Sequence, residues 1–180
     1  TIVVQNFELR FYRKGGVIRR MKNQYFRLTK EIEFEISELE KLLIEVSELS
    51  FRFSNGVPNS LEIRGLGAIL HDFYNGIENI CSRIANEIDG GLPKGNGWHR
   101  RVLERMSLDL SGVRPALFSM GTVKSLDEYR RFRHIFRHMY GSHLDWVRIK
   151  PLLHKLALVF SEVKKETFEF TIFLKELSGL

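Results

Sequence analysis

Glu31-Ile32-Glu33-Phe34-Glu35-Ile36-Ser37-Glu38-Leu39-Glu40-Lys41-Leu42-Leu43-Ile44-Glu45-Val46 decides the class of fold. Ile32, Ile36, Leu39, Leu43 and Val46 recur at spacings of four and three, which lines them up as one stripe of a 3.6-residue helix, while Glu33, Glu35, Glu38 and Glu40 fill the other faces. The spacing predicts one long amphipathic helix from Met21 to about Phe53. It is closed by Ser54-Asn55-Gly56-Val57-Pro58, where Gly and Pro stop helical propagation.

Working outward, the same periodicity returns twice. Asn59 or Ser60 can cap a second helix carrying Leu66, Ile69, Phe73, Ile77, Ile80 and Ile84, which ends at Asp89-Gly90-Gly91-Leu92-Pro93. Its mid-helix glycines, Gly65, Gly67 and Gly76, each cost roughly 1 kcal/mol of helix propensity relative to Ala, and close helix packing is the reading that offsets that cost. A shorter helix runs from Trp98 to about Leu110, with Val102, Leu103, Met106 and Leu110 inward. Gly112 to Met120 reads as a turn. Ser125, with Glu128 three residues on, fits a capping box opening a fourth helix. The last helix opens around Arg148, with Pro151 in its first turn, and continues past Leu156, Phe160, Val163, Phe170 and Phe173 to Leu177. An all-α bundle of about five helices follows: long antiparallel helices and one short basic helix. Residues 21–180 make one domain, and residues 1–20 read as a poorly ordered N-terminal appendage without the uninterrupted apolar core of a secretory signal.

Composition narrows the function. The chain has 180 residues, 43% of them hydrophobic, enough for one core of good size. Its one cysteine, Cys81, cannot form an intramolecular disulfide, which favours a reducing compartment, and the cytoplasm is the expected location. Charges break every apolar run well short of a membrane span. The formal net charge of +6 is unevenly spread: residues 98–155 hold twelve basic residues against five acidic, whereas residues 21–97 hold eight against twelve. One positive face suits a polyanionic partner, though a merely solvated charged surface would look the same by charge alone.

The basic residues concentrate in Tyr129-Arg130-Arg131-Phe132-Arg133-His134-Ile135-Phe136-Arg137-His138-Met139-Tyr140-Gly141. Arg130 with Arg133 or His134, and Arg133 with Arg137, are neighbours on a helix, and like charges so placed cost a few tenths of a kcal/mol per pair. Such a cluster needs acidic partners or a bound anion. Local acids are few (Asp127, Glu128 and Asp145), and phosphate matches the paired donors of a guanidinium.

Within this stretch, Arg133, His138 and Tyr140 form an R-x4-H-x-Y string that resembles the signature of the HepT-like HEPN-domain ribonuclease toxins. The preceding Leu126-Asp127-Glu128-Tyr129-Arg130, the following Gly141-Ser142-His143-Leu144-Asp145 and the earlier Gly97-Trp98-His99 are similar to that family as well, so the resemblance runs from about Met21 to Leu177. It implies a HEPN-like bundle and a homodimer in which two motifs face one cleft. It also implies a partner, a minimal nucleotidyltransferase antitoxin that attaches AMP to Tyr140. The added phosphate would put negative charge where RNA phosphate must sit.

The residue types suit metal-independent cleavage of RNA, in which the ribose 2′-OH attacks the adjacent phosphate. That reaction needs a base, an acid and positive charge for the phosphorane. His138 is assigned to proton transfer and Arg133 to the phosphorane. Five residues turn a helix through about 500°, leaving the two side chains roughly 140° apart around the axis, so a helix end between them or a second subunit has to bring them together. Arg130, His134 and Arg137 are RNA-binding candidates, although Arg130 and Arg137 could instead pair with the acidic first helix. His134 and His138 have a spacing that can hold zinc, but no convincing third ligand accompanies them, so neither metal nor cofactor is expected. The expected function is an endoribonuclease toxin acting on tRNA or mRNA. The alternatives are a noncatalytic HEPN partner of a nucleotidyltransferase and a helical scaffold whose basic helix lies in a protein interface, with acids meeting every arginine.

Overall fold

A computed structural model describes residues 2–52, 58–138 and 144–179. Five helices, with no strand among the described residues, follow in order: α1 (Ile2–Arg52), α2 (Ser60–Glu87), α3 (Trp98–Arg105), α4 (Met120–His138) and α5 (Trp146–Ser178). None is long and apolar enough to cross a membrane.

Side-chain pairs fix the directions of the helices. Arg27 meets Glu87, Glu31 meets Arg83 and Glu35 meets Asn79, so α1 and α2 are antiparallel. Glu33 with Lys175 and Glu40 with Lys164 set α5 antiparallel to α1. Contacts of His71 with Phe136 and of Asn75 and Glu78 with Arg133 set α4 antiparallel to α2. Helix α2 packs on all four others. Its expected stripe of Leu66, Ile69, Phe73, Ile77, Ile80 and Ile84 is wholly buried, as are Ile32, Leu39 and Val46 of α1 and Leu156, Phe160, Val163 and Phe170 of α5. Gly76 lets α1 come close: a Cβ there would sit 2.7 Å from Leu39 Cδ2. Gly67 does the same for Leu144 and Phe136, but Gly65 faces open space and owes nothing to packing.

Asn59 caps α2 reciprocally with Glu62, as its sequence suggests. The turn at Ser54-Asn55-Gly56-Val57 lies outside the described residues. Four boundaries differ from the sequence reading. Helix α1 begins at Ile2 rather than Met21, so the backbone of residues 2–20 continues the same helix. Helix α3 stops at Arg105, because the chain turns so that Leu110 and Arg114 exchange backbone hydrogen bonds and Leu110 is only half-buried. Ser125 lies inside α4; Ser119, whose Oγ accepts the Thr122 N–H at 3.2 Å, stands at the helix start instead. Asp145 caps α5 by accepting the Val147 N–H at 3.0 Å, so Pro151 lies beyond the first turn.

One ion pair ties the loops to the core. Arg114 donates from Nε and Nη2 to the two oxygens of Asp89, at 2.6 and 2.8 Å, and from its η nitrogens to the carbonyls of Arg105, Leu108 and Pro115. Both side chains are sealed from solvent, at 0% and 1% exposure.

Candidate functional site

Helix α4 divides its cations between two environments. The buried face of Thr122, Val123, Leu126, Tyr129 and Phe132 docks the helix against the core, with the Tyr129 hydroxyl donating to the Leu152 carbonyl at 2.8 Å. This docking turns Arg133 inward, into the seam between α2 and α3. Its Nε donates to Asn75 Oδ1, its Nη2 lies 3.0 Å from Glu78 Oε1, and its Nη1 lies 3.3 Å from Glu78 Oε2. The guanidinium also lies 5.8 Å from the centre of the Tyr74 ring. The Arg133 side chain is 13% exposed and that of Glu78 9%.

Glu78 has a second partner. His99, on the first turn of α3, places Nδ1 2.7 Å from Glu78 Oε2, the same oxygen that Arg133 Nη1 approaches. Its ring lies on Trp98, centroid to centroid 3.8 Å. Asn75 extends the network to His71, whose Nδ1 it meets at 2.9 Å. Five polar side chains from three helices thus form one chain, His71–Asn75–Arg133–Glu78–His99. Tyr74 beneath it is buried, and that burial, aided by the negative charge of the Glu78 carboxylate, pushes its phenol well above the usual range.

The other cations stay nearer the surface. Arg130 donates to Asp127 Oδ1 at 2.6 Å and Arg131 to Oδ2 at 2.7 Å, so one carboxylate answers two arginines and, among the described residues, neither pairs with α1. Burial opposes ionisation of Asp127, but the hydrogen bonds and charges of Arg130 and Arg131 outweigh it and hold its carboxyl below the ordinary value. His134, Arg137 and His138 are exposed. Arg137 makes no ion pair among the described residues. His138 ends α4; its Nδ1 lies 2.7 Å from the His134 carbonyl, and the His134 and His138 rings are 4.7 Å apart. Tyr140 and His143 lie outside the described residues.

The structure therefore separates Arg133, drawn into the seam, from His138, at the open end of the same helix. It joins Arg133 to three residues that the sequence reading did not connect with it: Asn75, Glu78 and His99. Helical spacing carries a faint signal for two of them, since Asn75 and Glu78 share one face of α2, but only tertiary contact reveals their partner.

Residues 65–174 match the model of a protein family described as HepT-like protein, a span that includes every polar residue of the seam and both Arg133 and His138. No curated protein and no solved structure matches the chain.

Proposed function

Since the chain belongs to the HepT-like protein family, we propose that it is a metal-independent endoribonuclease toxin of a toxin–antitoxin pair, cleaving tRNA or mRNA by attack of the ribose 2′-OH. The supporting observation is that the matched span carries Arg133 and His138 on one helix, with His138 exposed at its end and Nδ1 occupied by a backbone carbonyl. That hydrogen bond makes Nδ1 the protonated nitrogen and leaves Nε2 for a proton in transit. Arg133 supplies charge to the phosphorane and Arg130, His134 and Arg137 steer the RNA backbone. The free chain offsets Arg133 with Glu78, so a composite site between two copies, which adds a second set of cations, is the arrangement that suits the chemistry. A nucleotidyltransferase antitoxin silences it by adenylylating Tyr140. A cellular RNA substrate and a buried free thiol at Cys81 suit the cytoplasm.

One observation favours a second reading, that of a noncatalytic partner of a nucleotidyltransferase. Arg133 is held by a carboxylate and an amide, as an arginine with a purely architectural role would be.

Incubation of the purified chain with total tRNA and a short RNA in EDTA, after mass spectrometry has shown it free of adenylyl groups, separates the two. Cleavage by the wild type and none by His138→Ala is the expected result. No cleavage by either, from a dimeric and unmodified protein, would favour the noncatalytic partner.

A further inference from the structure

We propose that His99 is a second proton-transfer residue of the RNA site, acting as the base that takes the 2′-OH proton while His138 protonates the leaving oxygen. This rests on the ribonuclease reading and deepens it. Cleavage through the 2′-OH moves two protons, one off the attacking oxygen and one onto the departing oxygen, whereas the motif on α4 brings only His138 to the task.

His99 has the attributes of such a base. A carboxylate accepts hydrogen bonds and does not donate them, so the 2.7 Å contact with Glu78 fixes the proton on His99 Nδ1. Nε2 then carries the lone pair, and it has no hydrogen-bond partner among the described residues. The side chain is 31% exposed although its carboxylate partner is 9% exposed, so the ring bridges a buried anchor and the surface. Trp98 lies against the ring and limits its rotation. A carboxylate that orients an imidazole and stabilises the cation formed on it is a recurrent way of making a base.

The position is also right. Arg133 lies on the same carboxylate oxygen as His99, so a phosphate drawn to the guanidinium comes to rest next to the imidazole. His138 lies five residues beyond Arg133, about 7.5 Å further along the helix axis and roughly 140° around it, so it is in the composite site of two copies that a phosphodiester comes to lie between a His99 and a His138. In the step itself the 2′-oxygen bonds to phosphorus as the P–O5′ bond breaks. The 2′ proton passes to His99 Nε2, and the 5′-oxygen takes a proton from His138. The products are a 2′,3′-cyclic phosphate and a 5′-hydroxyl, with no change of oxidation state.

The test uses His99→Asn, whose amide N–H takes the place of Nδ1–H toward Glu78 but cannot relay a proton, with His99→Ala and His138→Ala alongside. With an RNA that the wild type cleaves, His99→Asn should lower kcat by about 100-fold while KM and the melting temperature stay at wild-type values. A merely structural histidine would be replaced by Asn without that loss. In NMR spectra, the His99 ring signals should shift when a 2′-O-methyl version of the same RNA is added in EDTA. Cleavage that requires His138 but survives His99→Asn, or ring signals that do not move, would overturn this inference and leave the ribonuclease reading standing. Failure of the unmodified wild type to cleave any RNA would overturn both.

Discussion

Two arginines of this chain are drawn inside against carboxylates carried on or just beyond α2, and they differ in what is left over. Arg114 spends its guanidinium on both oxygens of Asp89 and on three carbonyls, and neither partner meets solvent. Arg133 shares Glu78 with His99, and the imidazole that completes the cluster reaches the surface. Burying a pair of charges stabilises little by itself, since desolvation offsets most of the attraction, whereas breaking such a pair is costly. The first arrangement closes a loop onto the core and offers nothing to a ligand. The second joins three helices around groups that still have capacity for a proton or a phosphate oxygen.

The largest expected effect breaks the sealed pair. Arg114→Met leaves Asp89 buried without its cation and should cost about 3–5 kcal/mol, read as a fall in the urea midpoint. A loss under about 1 kcal/mol would remove the distinction between the two arginines. Next, Glu78→Gln should cost about 1–3 kcal/mol, less than Arg114→Met because Arg133 and His99 can turn toward water. RNA cleavage should fall far more than stability does, and a variant that unfolds as readily as Arg114→Met would make the seam equally architectural.

The smallest effect comes from the outer pairing of Arg130 and Arg131 with Asp127. Its carboxyl is held below its ordinary value, so the stability it contributes is present above the unfolded-state value, near 3.8, and is lost as pH falls through the folded-state value. Asp127→Asn should therefore reduce stability by under about 1 kcal/mol at neutral pH, with the difference from wild type shrinking once pH drops below about 4. Urea titrations at pH 7, 5 and 3 check this. A difference that grows toward acid would contradict the assignment.

How much of this was legible in the sequence follows from the range of each interaction. The apolar stripes of α1, α2 and α5 repeat every turn and read directly as buried faces. The cap before α2, narrowed to Asn59 or Ser60, and the Gly90-Gly91 stop, where the backbone takes φ of 78° and 121°, are local and were readable too. Signals that depend on distant partners were not. Ser125 with Glu128 has the spacing of a capping box, yet Ser119 lies at the start of α4, where its backbone N–H donates to Glu166 of α5. The end of α3 is set by Arg114 folding back on Leu110 and on the Arg105 carbonyl. The α4 string singles out Arg133 and His138 as candidates by local spacing alone. Glu78, one acid among many, and His99, noted only within the Gly97-Trp98-His99 string, gain their meaning only where α2, α3 and α4 meet.

Cleavage through the 2′-OH leaves a chemical mark on both sides of the cut. A short RNA treated in EDTA with the unmodified wild type, its products resolved by mass spectrometry, should yield fragments ending in 2′,3′-cyclic phosphate and beginning with 5′-hydroxyl, and a single 2′-deoxy substitution at the cut should abolish cleavage there. Fragments bearing 5′-phosphate, or cleavage that ignores the missing 2′-OH, would contradict it.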